Sequence, residues 1–204
     1  TEQVDASRFE MDLGNQQHYE QLLGALKEQQ WLPERMLNLV GLGTNGPVDT
    51  AAIIEQGYYG LLGLAQVLVM TDINESIAID VITNGLSEVT GTEQLYPEKS
   101  ILLGPVKVIP QEIGKLSCRL VDIEVTGDYA ERLPEMLVAL NVEAPAERIV
   151  AVRGKYVWTP DFNRRDISLT ENNPPRLQEN GTYLITGGLG GISLEICLLY
   201  TSDA

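Results

Sequence analysis

Gly181-Thr-Tyr-Leu-Ile-Thr-Gly-Gly-Leu-Gly-Gly-Ile-Ser193 is the segment on which the assignment of fold turns. Residues 182–185 form an apolar run of strand type, residues 186–191 a glycine turn, and the chain after Gly191 starts as a helix. This is the opening of a dinucleotide-binding βαβ unit. Glycines let the backbone approach a pyrophosphate, and the helix N-terminus offers positive dipole charge. Only thirteen residues follow Gly191 in the chain of 204. The crossover helix is therefore expected to be barely begun and the second strand missing.

Upstream of this turn the chain alternates strand and helix patterns. Residues 7–13 alternate weakly, as in a short strand. Residues 15–30 carry Tyr19, Leu22, Leu23 and Leu26 at helical spacing behind an Asn15 cap. Residues 36–42 are a compact apolar run that predicts a buried strand. A long helix over 48–70 comes next, with Pro47 suited to its first position. The β-branched, alternating run 76–83 predicts a strand. Residues 97–109 predict a helix kinked at Gly104-Pro105, with Pro110 near its end. A strand is expected over 117–125, a helix over 130–140 and a strand over 148–153. Residues 155–159 either pair with that strand across Gly154 or continue it. Residues 161–179, containing Asn172-Asn-Pro-Pro175, read as a linker. The order predicts an α/β fold with a mostly parallel sheet.

Composition narrows the function classes. With 44% hydrophobic and 21% charged residues the chain can bury a core. Its net charge of -15, from 29 acidic and 14 basic residues, argues against nucleic acid, whose phosphates need clustered Lys and Arg. No apolar run reaches the ~18–20 residues of a membrane span, so no membrane role is expected. The N-terminus does not resemble a signal peptide. Cys118 and Cys197 form neither a metal spacing nor a disulfide framework, so a cytoplasmic setting is expected.

Two glycine turns compete for a nucleotide. Gly41-Leu-Gly-Thr-Asn-Gly46 matches Gly-x-Gly-x-x-Gly between a strand and a helix. The acidic residue expected at the end of the next strand is absent, because that strand ends Ile82-Thr-Asn84, with Asp80 mid-strand and Asp72 in the loop before it. The geometric reading, glycines for a strand-to-helix turn, is preferred. The alternative is a nucleotide module using Gly41, Gly43 and Gly46. The second turn has the Thr-Gly-x-x-x-Gly-x-Gly form of short-chain reductases, except that Ser193 replaces the last glycine. Crowding there is expected to cost about 1–3 kcal/mol.

Val81-Ile-Thr-Asn-Gly-Leu86, Tyr96-Pro-Glu-Lys-Ser100 and Leu103-Gly-Pro-Val-Lys-Val-Ile-Pro-Gln-Glu112 together resemble the ketoreductase region of modular type I polyketide synthases. Gly181 to Gly191 resembles the same family's cofactor loop, and the resemblance extends to about Ile196. It implies two short-chain dehydrogenase/reductase-like halves. Residues 1–160 would be a degenerate Rossmann-like structural subdomain without cofactor, and 161–180 a linker. Residues 181–196 would begin the NADPH-binding catalytic subdomain. The parent enzyme would reduce the β-keto group of an acyl chain on an acyl carrier protein, beside the other domains of the synthase. Thr186, Gly187, Gly188, Leu189, Gly190, Gly191 and Ile192 would line the NADPH pyrophosphate. The family's catalytic Tyr, Ser, Lys and Asn would lie beyond Ala204, so the piece alone is expected to be inactive. The alternative is a noncatalytic structural or interaction domain of a megasynthase that binds no nucleotide.

Cys197-Leu-Leu-Tyr-Thr-Ser-Asp-Ala204 resembles, codon for codon, a translated transposase adapter end used in sequencing libraries. Residues 197–204 are expected to be foreign, leaving Cys118 as a core cysteine. His18 is expected at the surface, without metal or catalytic partners. Trp31 and Trp158 are expected to anchor packing, and Asp122, Glu124, Asp128 and Glu131 to form a solvated acidic rim. No tyrosine has a lysine four residues on, so none has the reductase spacing.

Overall fold

The computed structural model describes the chain apart from residues 6–7, 44–47, 72–74, 126–130, 132–133, 136–137, 139–146, 165–180 and 202–204. It contains two units, Thr1–Asp161 and Phe162–Ala204.

In the first unit, short strands β1 (Glu2–Gln3) and β2 (Phe9–Glu10) pair antiparallel ahead of helix α1 (Gln16–Glu28). Asn15 caps α1 as expected, its side chain accepting the Gln17 N–H at 3.0 Å. His18 departs from the expected surface position. It is half-buried, and its Nδ1 accepts the Asp12 N–H at 3.0 Å, tying the strand-to-helix turn to the helix.

The principal sheet follows chain order. Strands β3 (Arg35–Asn38), β4 (Ile77–Asn84), β5 (Leu116–Ile123) and β6 (Ile149–Arg153) run parallel. Strand β7 (Tyr156–Trp158) turns back across Gly154 (φ +59°) and pairs antiparallel with β6, which decides between the two readings of 155–159. The fold is α/β and Rossmann-like with a mostly parallel sheet, as predicted. Strand β3 is not buried: among the described strands it is an edge strand paired to β4, and Leu37 is 43% exposed. Strand β4 alternates in sequence yet is buried on both faces, as central parallel strands are.

Helix α2 (Thr50–Met70) crosses from β3 to β4. It begins at the Asp49 cap, whose side chain accepts the Ala52 N–H at 3.1 Å, two residues after the predicted start. Pro47 lies outside the described residues. A π-helical segment, Ile53–Tyr59, widens its early part. Just beyond, Gly60 lets the helix close on Leu13, whose carbonyl oxygen would stand 2.7 Å from a Cβ at that position. The 21 helical residues are long and apolar enough to cross a membrane by length and composition alone, a property that the core helix of a globular fold shares. In this fold Leu61, Ala65, Val67 and Leu68 are core residues against the sheet.

Between β4 and β5 the expected kinked helix is a 3₁₀ turn (Pro97–Leu102) running into α3 (Leu103–Glu112). Pro105 falls in the first turn of α3, where a missing N–H costs nothing, so the hydrogen-bond pattern changes at Leu103 and no kink at Gly104-Pro105 is needed. The helix predicted over 130–140 lies largely outside the described residues, as do Asp128, Asp72, Gly46 and most of the expected linker.

Because each parallel crossover moves the same way along the sheet, right-handed connections place successive helices on one face. There Tyr19 and Leu23 of α1, Leu61 and Leu68 of α2, and Val106 and Ile109 of α3 cover Ile77, Ile79, Val81, Leu116, Cys118 and Leu120. Burial pushes the Cys118 thiol up to about 11, with Arg148 opposing and Asp80 adding. Ile82, Val121, Ile123, Val150 and Val152 form a second cluster on the other face. Neither tryptophan anchors packing: Trp31 is 57% and Trp158 48% exposed, the latter on the edge strand β7.

In the second unit, residues 181–185 do not form the predicted strand. A strand exists only in a ladder, and the described residues of this unit contain no other strand to pair with. The turn at 186–190 and helix α4 (Gly191–Thr201) are present, as predicted.

Candidate functional site

In open α/β sheets, ligands lie beyond the carboxyl ends of the strands. Here that edge is filled by the chain's own charges. At the first glycine turn, Gly41 packs against β4: a Cβ there would meet the Ile82 oxygen at 3.0 Å and the Thr83 Cβ at 3.1 Å. The Thr83 hydroxyl donates to the Gly41 carbonyl at 3.1 Å. The Gly43 N–H, which a phosphate would need, donates at 3.0 Å to Asn84 Oδ1. The same oxygen accepts from Lys99 Nζ at 2.7 Å, and Lys99 also donates to the Asn84 carbonyl at 3.0 Å. Lys99 is buried, with its ammonium 4.6 Å from the centre of the Tyr96 ring. Burial lowers its pKa, with Asp122 and Glu98 opposing. The described glycines of this turn therefore serve packing and internal bonding.

Next to this pair sits a second cluster that the sequence pattern did not disclose. Asp122 is fully buried, not part of a solvated rim. Its carboxylate accepts the N–H groups of Leu86 and Ser87, each at 3.0 Å, and Arg153 Nη2 at 2.7 Å. The Arg153 guanidinium is fully engaged. Nε donates to Glu93, Nη1 to the carbonyls of Asp122 and Val152, and Nη2 to Ser87 O and Asp122. Burial disfavours its charge, but the hydrogen bonds to Asp122 and Glu93 outweigh that and raise its pKa. Glu93 in turn accepts four backbone N–H groups, from Val89, Thr90, Gly91 and Thr92. Chiefly through Thr90, against the effect of burial, these bonds hold its carboxyl well below the usual carboxylate range. Of the other residues expected on the rim, Glu124 is half-buried and Glu131 exposed. The sequence signal for this cluster was a charged residue at the end of each of two apolar strands, Asp122 and Arg153.

The second glycine turn is different in kind. Thr186, Gly187, Leu189, Gly190, Gly191 and Ile192 are exposed and Gly188 half-exposed. Gly187 holds φ +73°, a left-handed conformation that favours glycine. Its carbonyl accepts the Gly190 N–H at 2.8 Å, and Gly190 O accepts the Leu194 N–H at 2.9 Å as α4 begins. The structure thus brings the seven sequence-predicted residues together at one helix N-terminus. An exposed turn of this kind presents small residues and the positive end of a helix dipole, which favour an anion in general. Ser193 is half-exposed in this unit. Among the described residues no group of three or more His, Cys, Asp or Glu converges on a metal position.

The chain is similar to known proteins. Over 164 residues the chain is 24% identical to a phenolphthiocerol/phthiocerol polyketide synthase subunit of Mycobacterium tuberculosis, covering 80% of this chain and 9% of that one. The corresponding polyketide synthase subunit of Mycobacterium bovis matches to the same extent. The chain thus spans about 9% of the length of these relatives. Among solved structures, a multidomain adenylation, ketoreductase and pseudo-Asub structure of a keto acid-selecting NRPS module superposes with a TM-score of 0.74. Identity is 18%, covering 96% of this chain and 16% of that one. An N-terminal ketoreductase from a macrolactin assembly line superposes with a TM-score of 0.68 at 18% identity, covering 94% and 38%. Both likenesses establish the fold. The chain is related to polyketide synthases, and with residues 1–139 matched it belongs to the beta-ketoacyl synthase-like, N-terminal family.

Proposed function

We propose that residues 1–160 are the cofactor-free structural half of a ketoreductase within a multifunctional synthase. In this reading, 161–180 is a linker and 181–196 opens the NADPH-binding half. The observation that carries this reading is the contrast between the two glycine turns. The first is closed by Asn84, which takes the Gly43 N–H and is held by Lys99, whereas the second is exposed and ends on a helix N-terminus. The resemblance of 81–112 to ketoreductases, and the polyketide synthase and ketoreductase relatives, support the same assignment. Thr186, Gly187, Gly188, Leu189, Gly190, Gly191 and Ile192 would hold the pyrophosphate of NADPH. When bound, NADPH supplies the hydride that reduces the β-keto group of an acyl chain on an acyl carrier protein. The partners are that carrier and neighbouring synthase domains. No tyrosine of this chain has the Tyr-x-x-x-Lys spacing, so these 204 residues are inactive by themselves.

Calorimetry with NADPH on the 204-residue chain, together with an assay on a β-keto thioester, tests this assignment. We expect no turnover and no binding to residues 1–160. Micromolar binding that survives deletion of residues 181–204 would overturn it in favour of a nucleotide site at Gly41–Gly43, as would measurable reduction of the thioester.

A further inference from the structure

The rim of the sheet opposite the closed edge carries a cavity of about 380 Å³. Arg35 opens β3, with Ala78 and Ser117 beside it in register. Two residues further along, on the same face, Asp80 lies opposite Arg119. Arg148 comes just before Ile149, the partner of Leu120, and its carbonyl accepts the Leu120 N–H at 2.8 Å. Parallel pairing thus brings three guanidiniums, one from the start of β3, one from the middle of β5 and one from just before β6, to one cavity.

Asp80 organises them. It is 2% exposed and both its oxygens are engaged. Oδ1 accepts from Arg119 Nε at 2.9 Å, and Oδ2 from Arg35 Nη1 at 2.7 Å and Arg119 Nη2 at 3.1 Å. The buried carboxylate therefore acts as a clamp that holds two guanidinium planes at the cavity wall. The Arg35 side chain stays 36% exposed with Nη1 on Asp80. Arg148 and Ser117 are exposed, and Glu147 is the opposing carboxylate at the mouth. Among the described residues that line it, three guanidiniums against two carboxylates give an excess of positive charge in a chain whose net charge is -15. The volume lies in the range of small-molecule sites. Pre-oriented guanidinium forks favour planar or tetrahedral oxyanions over other ligands.

We propose that this cavity binds the phosphate or carboxylate group of a small molecule through Arg35 and Arg148, with the Ser117 hydroxyl as a further donor. The inference is independent of the ketoreductase assignment. It is tested by thermal melting and calorimetry of the full chain with inorganic phosphate or malonate, against sodium chloride at matched ionic strength. Phosphate or malonate is expected to raise the melting temperature by roughly 2 °C or more beyond chloride. Arg148→Ala, an exposed position, should lose that increment while melting unchanged in chloride. Arg35→Lys, which keeps the charge but loses the fork, should weaken binding about tenfold. A response to phosphate alone or to malonate alone assigns the group. An equal increment in Arg148→Ala, or no increment with either probe, overturns the proposal.

Discussion

Asp122 concentrates the residue-scale chemistry of the fold. It satisfies two backbone N–H groups and one face of a guanidinium whose five donors are all used. Replacing it with alanine leaves Arg153 buried beside an emptied position and orphans Leu86 N and Ser87 N. Asp122→Ala should therefore cost about 3–5 kcal/mol in urea unfolding. A cost under about 1 kcal/mol would show that the cluster is solvated. Tyr96 makes the opposite case: its buried hydroxyl has no hydrogen-bond partner among the described residues. Removing an unsatisfied buried hydroxyl relieves its desolvation, so Tyr96→Phe should be neutral or stabilising by about 1 kcal/mol.

Tyr19 couples the same physics to pH. Burial, then Asp12, pushes its pKa up to about 12, whereas an unfolded tyrosine titrates near ~10. Between those values the folded state holds the proton that the unfolded state has lost. Stability is complete below pH ~10 and falls as pH rises towards 12. Stability measured across that window should fall less steeply in Tyr19→Phe; identical slopes would exclude Tyr19 as the source.

Among the elements, α2 shows local pattern and tertiary demand acting together. Its position and apolar content are legible in sequence, although the sequence pattern places its start at 48 and the Asp49 cap begins it at Thr50. Its π-helical segment and its contact with Leu13 are not, since both depend on what lies across the interface. Gly60→Ala would add a methyl 2.7 Å from the Leu13 oxygen, a backbone atom that yields only if the turn moves. We expect a loss of about 1–3 kcal/mol despite alanine's better helix propensity; a gain in thermal stability would show that the turn relaxes freely. Strand β3 and residues 181–185 carry a related lesson. Apolar runs of similar appearance became an exposed edge in one case and no strand in the other, because strand character is conferred by neighbours.

For the whole molecule, a net charge of -15 sets surface self-repulsion against a core whose ion clusters are shielded from salt. Raising sodium chloride from low to ~0.5 M should therefore raise the melting temperature; a fall would mean that the ion pairs are effectively solvent-exposed. Local periodicity, turn residues and capping set the order of strands and helices, and with it the α/β class and parallel sheet. Glycine spacing likewise set the turn at 186–190, since a left-handed Gly187 is a local demand. Which of two glycine turns lies open, where Asp122, Arg153 and Lys99 are buried, and how Asp80 gathers two arginines were settled only when the elements packed together. Those outcomes depend on desolvation and on partners 15 to 45 residues apart, and a carboxylate at a strand end reads the same in sequence whether water or a guanidinium awaits it.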